Sequence, residues 1–384
     1  MRSDKTFEIK VEPAVMDWAV KSSGWSVENL AKRIKISEGT LHNWLNGTLN
    51  PNLRQLETLS GVIKRPLAAF LLLTPPAEKP LPKDYRMLPE KEGKFDKKTI
   101  FAIRRARRLQ NISKELLENL NATMVSTIPN FPISNNPLEL ADKYRTEFKL
   151  TIEQQAKLKT PYELLNLLRD IIEDKNILVF QISMHIEDAR GFAIADETPA
   201  IIVVNSKDQI EARIFSLMHE FGHIILKESG ISLPENALIE KSPEPVEKWC
   251  NEFASAFLLP KSVAKSIFDE NKATLTETKT LDKLSRKYKL SKAMILYNML
   301  KLEYISYVEY GRTLERYKPK PIEAKKAKIF APSADKKCLS EKGQKFVSLV
   351  INNMEKGLIT HSEALGYLSL KSRNLEKVAS KAKK

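Results

Sequence analysis

The most constraining feature of the sequence is an apolar helical segment near the middle of the chain that carries His219, Glu220 and His223. Side chains four residues apart on an α-helix point the same way, so the two imidazoles can bind one metal ion. Glu220 lies too far around the helix to be a ligand, yet close enough to hold a water on the ion. Ser206 and Gln209 resemble a capping box at the start of this helix. The pattern predicts a buried H-E-x-x-H metal site; the alternative is a chance match in a buried helix.

A metal site of this type needs a third protein ligand, either a histidine soon after the motif or a glutamate on the next helix. The next histidine, His361, is far along the chain, whereas the following helical segment carries Glu247 one turn before Asn251. We therefore expect Glu247 to be the third ligand. We expect Asn251 to hydrogen-bond the remaining ring nitrogen of a metal-bound histidine. Glu244 and Glu252 are the competing acids, and they point to other faces of the helix.

The residues around these side chains resemble the ImmA/IrrE metallopeptidases. The family pattern is a strand ending in Asn, then F-T-L-A-H-E-x-G-H, then E-x-x-A-N-x-F-A-A-x-L-L-x-P, and this chain has AIIVVN, FSLMHEFGH and EKWCNEFASAFLLP. The departures, at Ser216, Met218 and Cys250, concern packing and not ligands. The resemblance implies a gluzincin-like metallo-endopeptidase that uses Zn²⁺, with other divalent metals as alternatives. The family's metal ligands fall on His219, His223 and Glu247, and its catalytic glutamate falls on Glu220.

The N-terminal part of the chain, residues 13–74, reads as five short helices. Its segment LAKRIKISEGTLHNWLNG resembles the helix-turn-helix of Cro/C1 (XRE) type, in which the third helix enters the major groove of double-stranded DNA. The family usually has Gln where Val27 stands and Gly where Lys35 stands, so a protein-docking scaffold is the alternative. The residues expected to face DNA are Lys35, Ser37, Glu38, Thr40, His42 and Asn43.

These patterns predict a multidomain, mainly α-helical protein with a small β-sheet: an N-terminal five-helix bundle, an α+β zincin-like core and helical C-terminal modules. Three β-rich runs precede the metal-binding helix, and the last two are separated at hairpin spacing by the turn 196–199.

The expected domains are the helix-turn-helix domain 13–74, a Pro/Lys-rich linker 75–97, the peptidase domain 98–262, a helical module 263–317, a basic linker 318–339 and a C-terminal helical module 340–384. The module 263–317 resembles a second helix-turn-helix, with a plain helical hairpin as the alternative.

Composition places limits on the function. Net charge is +15, from 63 basic and 48 acidic residues, which suits a nucleic-acid partner without proving one. Four arginines between Arg104 and Arg108 either track phosphates or form a solvated helix face. Two distant cysteines give no disulfide framework, no apolar run reaches 18 residues, and the first ten residues lack the apolar core of a secretion signal. We therefore expect a cytoplasmic protein without a membrane partner.

The resemblance to ImmA/IrrE proteins also implies a substrate class. Peptidases of this family are associated with limited cleavage of helix-turn-helix repressors in stress, phage or mobile-element circuits. The expected partner is therefore a protein substrate, with double-stranded DNA as a second partner. The competing hypothesis is a DNA-binding regulator or antitoxin-like protein whose metal domain senses a signal or only supports the fold.

Overall fold

The computed structural model describes residues 7–79, 81–84, 95–232, 244–317 and 332–382. The chain divides into two units, the first comprising Met1–Leu81 and Glu90–Arg105 and the second Pro82–Pro89 and Ala106–Lys384. Parts of both predicted linkers, residues 80, 85–94 and 318–331, lie outside the described residues. Within the described ranges, no helix combines the length and apolar character needed to cross a bilayer.

The first unit is a bundle of short helices. Its elements are α1 (Pro13–Lys21), α2 (Val27–Ile34), α3 (Glu38–Leu45), α4 (Leu53–Ile63) and a 3₁₀ helix (Leu67–Leu71). Ser26, Ser37 and Asn52 cap the second to fourth helices by accepting a hydrogen bond from the backbone N–H three residues on. The prediction of five helical segments is confirmed, except that the fifth is a 3₁₀ helix of five residues, a length at which this tighter turn is common.

The second unit contains most of the helices and all of the described strands. Helix α5 (Lys97–Asn119) begins in the first unit and continues into the second. It is followed, before strand β2 (Ile177–Ile182), by α6 (Pro137–Glu147), α7 (Ile152–Lys157) and α8 (Pro161–Asp174). The central pair is α9 (Ile210–Leu226) and α10 (Pro245–Leu258). They are followed by α11 (Lys261–Glu270), a 3₁₀ helix (Lys272–Thr274), α12 (Thr278–Tyr288), α13 (Lys292–Lys301) and α14 (Tyr307–Tyr317). The last helices are α15 (Ala334–Lys342), α16 (Gln344–Glu355), α17 (His361–Leu368), a 3₁₀ helix (Ser372–Asn374) and α18 (Leu375–Ala382).

One mixed sheet of five strands lies within the described part of the second unit, in the order β1-β5-β3-β4-β2. The strands are β1 (Lys83–Asp84), β2 (Ile177–Ile182), β3 (Gly191–Ile194), β4 (Ala200–Asn205) and β5 (Gly230–Ser232). β3 and β4 form the predicted antiparallel hairpin, with Gly191 opposite Val204. β5 lies antiparallel on the other side of β3, with Ser232 opposite Gly191. The small sheet and mainly helical architecture confirm the predicted fold class.

The start of α9 differs from the prediction. The helix begins at Ile210, after the N-cap residue Gln209, which makes no side-chain cap. The preceding residues form a turn in which the Asn205 side chain accepts a hydrogen bond from the Lys207 backbone N–H. The predicted capping box is therefore wrong, because Ser206 lies in this turn at the end of β4.

The C-terminal helices pack on the sheet side of α8. The buried Arg169 guanidinium donates to the backbone oxygens of Leu339 and Ser340, and the Gln181 amide also donates to Ser340 O, at 2.9 Å. The predicted basic linker, 318–339, is thus too long, because its last six residues belong to α15. The sequence of α15 is too polar to show a helical apolar pattern, and only its neighbours supply the burial.

The arginine cluster of α5 is divided between protein contacts. Arg104 donates to the backbone oxygen of Ile63 at 3.0 Å within the first unit. Arg107 makes a bidentate pair with Asp196 in the second unit, with both bonds at 2.7 Å. Two of the four arginines therefore serve the fold, which weakens the hypothesis that the cluster tracks phosphates.

Candidate metal centre

Helix α9 places the two histidines of the motif side by side in the interior. His219, Glu220 and His223 are all 0% exposed. The Nε2 atoms of His219 and His223 are 3.2 Å apart, as expected for side chains one helical turn apart that converge on one point. Every residue of α9 from Ile214 to Leu226 is buried, so the histidines lie on a helix that is enclosed over most of its length.

Helix α10 brings a carboxylate to the same point. Glu247 is 0% exposed, with Oε1 3.0 Å from His223 Nε2 and Oε2 3.4 Å from His219 Nε2. Burial alone would raise the pKa of Glu247, but the charges and hydrogen bonds of the two imidazoles outweigh it and hold that pKa at about 2. The Glu247 carboxylate is therefore charged and faces both metal-facing nitrogens.

The two competing acids of α10 are placed elsewhere. Glu244 is the N-cap residue, where its side chain accepts from the backbone N–H of Val246 and pairs with Lys83. Glu252 pairs with Lys301 at 3.1 Å. Of these three acids, the structure brings only Glu247 together with the two histidines.

Close packing between α9 and α10 makes this convergence possible. A Cβ atom at Gly222 would lie 3.1 Å from Cys250 Sγ and 3.3 Å from Cys250 Cα. The helices therefore approach closely at this point, and a larger side chain at either position would push them apart. Cys250 stands where the ImmA/IrrE pattern has alanine, and the small thiol still fits against the glycine.

Asn251 orients one of the histidines. Its Oδ1 lies 2.9 Å from His219 Nδ1, and because an amide oxygen can only accept, Nδ1 carries the proton. The Nε2 atom of His219 then keeps its lone pair and points at the cluster. This is the contact that the sequence predicts for Asn251.

Ser232 is a neighbour of the cluster that sequence reasoning missed. It is the last residue of β5 and is 0% exposed. Its hydroxyl donates to Glu247 Oε1 at 3.1 Å and lies 3.2 Å from His223 Nε2. The short segment GIS carries no signal for this role, because pairing with β3, far away in the sequence, is what places Ser232 here.

Glu220 occupies a narrow space beneath β3. A Cβ atom at Gly191 would lie 2.8 Å from Glu220 Oε1, so the absence of a side chain at this position makes room for the carboxylate. Burial and the nearby Glu247 carboxylate raise the pKa of Glu220 well above its ordinary value. Glu220 is thus poised to bind a proton.

The donor set fits a metal ion. One donor atom from each of His219, His223 and Glu247 lies within 4.8 Å of the others. Both Glu220 oxygens and Glu247 Oε2 are buried without a hydrogen-bond partner among the described residues. Buried carboxylate oxygens in this state are costly unless a positive charge compensates them. Two imidazoles and one carboxylate are a donor set typical of catalytic zinc.

Comparison with known families agrees with this geometry. Residues 172–300 match the family model of the IrrE N-terminal-like domain (Peptidase_M78), and residues 18–70 match a helix-turn-helix model. The chain joins an N-terminal XRE-type helix-turn-helix domain to an ImmA/IrrE-type peptidase domain. The peptidase domain is of a metallopeptidase family, and its matched range contains His219, His223 and Glu247. No match was found among curated proteins.

The helix-turn-helix domain presents most of the predicted DNA-facing residues to solvent. Lys35, Ser37, Glu38, His42 and Asn43 are exposed, and Thr40 is half-buried. Ser37 also has a local role, because its hydroxyl accepts from the Thr40 backbone N–H at 3.0 Å and so caps α3. Leu41 and Trp44 are buried on the other side of α3, as the resemblance implies.

Proposed function

We propose that this protein is a zinc-dependent endopeptidase that makes a limited cut in a helix-turn-helix transcriptional repressor. The observation that carries the proposal is the buried convergence of His219, His223 and Glu247 with the Glu220 carboxylate alongside. The match to a peptidase family model supports the reaction class. The repressor substrate is inferred from the resemblance to ImmA/IrrE proteins and from the fused helix-turn-helix domain.

His219, His223 and Glu247 would hold the ion as neutral imidazoles and a charged carboxylate. Burial lowers the pKa of His223, which favours the neutral ring that a metal requires. Asn251 would keep His219 in the tautomer whose Nε2 lone pair faces the ion. When bound, zinc would supply Lewis acidity that activates a water and polarises the scissile carbonyl. The other divalent metals remain alternatives, because the same donors bind several of them.

Glu220 would act as the general base. Its carboxylate would take a proton from the attacking water and return it to the leaving amine. Gly191 would keep the space in front of Glu220 clear.

The test of the catalytic role is Glu220→Gln, an almost isosteric change that removes the base. We expect zinc content to stay at one ion per chain, and cleavage to fall by about 10²–10⁴-fold, because proton transfer contributes that much to such reactions. Purified helix-turn-helix repressors of the same genome, starting with the one encoded nearest, serve as substrates, with cut sites mapped by mass spectrometry. The matched control is Glu252→Gln, which removes a carboxylate of α10 that pairs with Lys301. Cleavage at the wild-type rate by Glu220→Gln would contradict the proposal.

A second candidate function is DNA binding by the helix-turn-helix domain, as in a regulator or antitoxin-like protein with a sensing or structural metal domain. The exposed face of α3, with His42 and Asn43, favours it. A mobility-shift assay across a salt series tests this function. Specific competition by one duplex sequence supports it, whereas binding that every duplex displaces equally and that salt abolishes reflects only the net charge of +15.

A further inference from the structure

The Ser232 hydroxyl contacts the same side-chain atoms of His223 and Glu247 that would face a metal ion. Its Oγ is 3.2 Å from His223 Nε2, the same nitrogen that lies 3.0 Å from Glu247 Oε1. The imidazole nitrogen that faces the carboxylate is the one that would bind the ion. A side chain that only supported Glu247 from outside would contact an oxygen pointing away from this nitrogen. Ser232 contacts both partners on the side where they meet.

The spacing of Ser232 is that of a ligand atom. Four donors at bond lengths of about 2.0–2.1 Å around a tetrahedral ion lie about 3.3 Å from one another. The two imidazole nitrogens are 3.2 Å apart. Glu247 Oε1 lies 3.0 Å from His223 Nε2, and Glu247 Oε2 lies 3.4 Å from His219 Nε2. Ser232 Oγ lies 3.1 Å from Glu247 Oε1 and 3.2 Å from His223 Nε2, within the same range. Ser232 Oγ is therefore spaced from these two atoms as a neighbouring donor on the same ion would be.

Metal binding would change the role of this hydroxyl. A nitrogen that binds an ion has no proton to donate, so the contact between His223 Nε2 and Ser232 could not persist as a hydrogen bond. The Ser232 hydroxyl can continue to donate its hydrogen bond to Glu247 Oε1, which lies 3.1 Å from Oγ. Oγ then keeps lone pairs with which it can bind the ion.

We propose that Ser232 is a fourth protein donor to the metal, an inference that rests on the proposed metal site. Catalytic zinc sites keep one position for water, whereas structural sites are filled by four protein ligands. In this conformation the position is taken by a weak, neutral donor on β5. A bound Ser232 would compete with the water of the reaction for that position. The 0% exposure of Ser232 and of the ligands fits such a closed site.

The deciding experiment uses Ser232→Cys in the full-length chain with Co²⁺ in place of zinc. A thiolate is a stronger ligand than a hydroxyl, so a donor at this position should produce a thiolate-to-cobalt charge-transfer band in the near ultraviolet. It should also raise Zn²⁺ affinity by at least about tenfold in competition with a chromophoric chelator. The control is Ser113→Cys, because Ser113 is also 0% exposed but its hydroxyl bonds to Leu109 O on its own helix. No band is expected there.

The outcomes separate this inference from the proposed function. If wild-type protein binds no Co²⁺, or binds it equally after His219→Ala, the metal site itself is wrong. If binding needs His219 but Ser232→Cys gives no charge-transfer band, only the role of Ser232 is overturned. Should the cysteine variant fail to fold, Ser232→Ala replaces it, and its visible Co²⁺ spectrum must differ from the wild type because one donor has changed. An identical spectrum overturns the inference.

Discussion

Two helix pairs in this chain, α2–α3 and α12–α13, share one turn and differ in what surrounds it. In the first, α2 is followed by Lys35 and Ile36, and Ser37 then caps α3. In the second, α12 is followed by Lys289 and Leu290, and Ser291 then caps α13. Both lysines adopt the left-handed conformation, with φ of 61° and 60°. The same short motif thus gives the same local geometry in both places.

The second helices of the two pairs have different surroundings. His42 and Asn43 of α3 are exposed, whereas the residues at the same positions of α13, Leu296 and Tyr297, are 0% and 5% exposed. A helix whose outer face is buried cannot enter a DNA groove. The family model of the peptidase domain, which ends at residue 300, also covers almost all of α13. The turn between α12 and α13 thus matches that between α2 and α3, while α13 is buried within the range matched by the peptidase model.

The largest expected difference between α3 and α13 is in how much a lysine at matching positions destabilises the protein. Leu296→Lys places an ammonium group in the core beneath α13 and should lower the free energy of unfolding by at least about 3 kcal/mol. His42→Lys introduces lysine at the matching position of α3, which is exposed. This change should alter the free energy of unfolding by no more than about 0.5 kcal/mol. Urea denaturation of the full-length variants measures both values. Equal tolerance of lysine at the two positions would mean that α13 is not buried in solution.

An intermediate effect should appear in DNA binding. If α3 reads a duplex, changing His42 and Asn43 together to alanine should weaken binding to the preferred sequence by about 1–3 kcal/mol per lost base contact. Lys292→Ala is the control, because Lys292 stands in α13 at the position that Glu38 has in α3 and pairs with Asp282. Fluorescence anisotropy with a labelled duplex measures both. A loss of affinity in the control that matches the loss in the α3 variant would point to net charge and not to α3.

Residues that are related by the periodicity of one helix could be predicted from the sequence. His219, Glu220 and His223 lie on one helix, so helical periodicity alone fixes their relation. Glu247 and Asn251 needed only a second helix that packs closely, which the small residues around Gly222 allow. These placements depend on helix periodicity and on the packing of one helix pair, and the structure places those side chains close to one another.

Features that depend on distant partners could not be predicted in this way. Ser232 reaches the cluster because β5 pairs with β3 across some forty residues of sequence. The polar helix α15 acquires its partners from Arg169 and Gln181, far away in the chain. The burial of α13 has the same origin, although its apolar sequence KAMILYNMLK offered a hint, since a recognition helix needs a polar face.

The smallest effect tests the shared turn itself. A non-glycine residue in the left-handed region carries a steric cost, so Lys35→Gly should stabilise the first unit by about 0.5–1 kcal/mol. Lys289→Gly relieves the same strain but removes the ammonium group that donates to the backbone oxygens of Ala156 and Lys287 at 2.6 and 2.8 Å. Because each such bond contributes about 1 kcal/mol, this variant should be less stable than the wild type. Calorimetry without DNA measures both, and stabilisation by both glycines would show that the buried contacts of Lys289 contribute little.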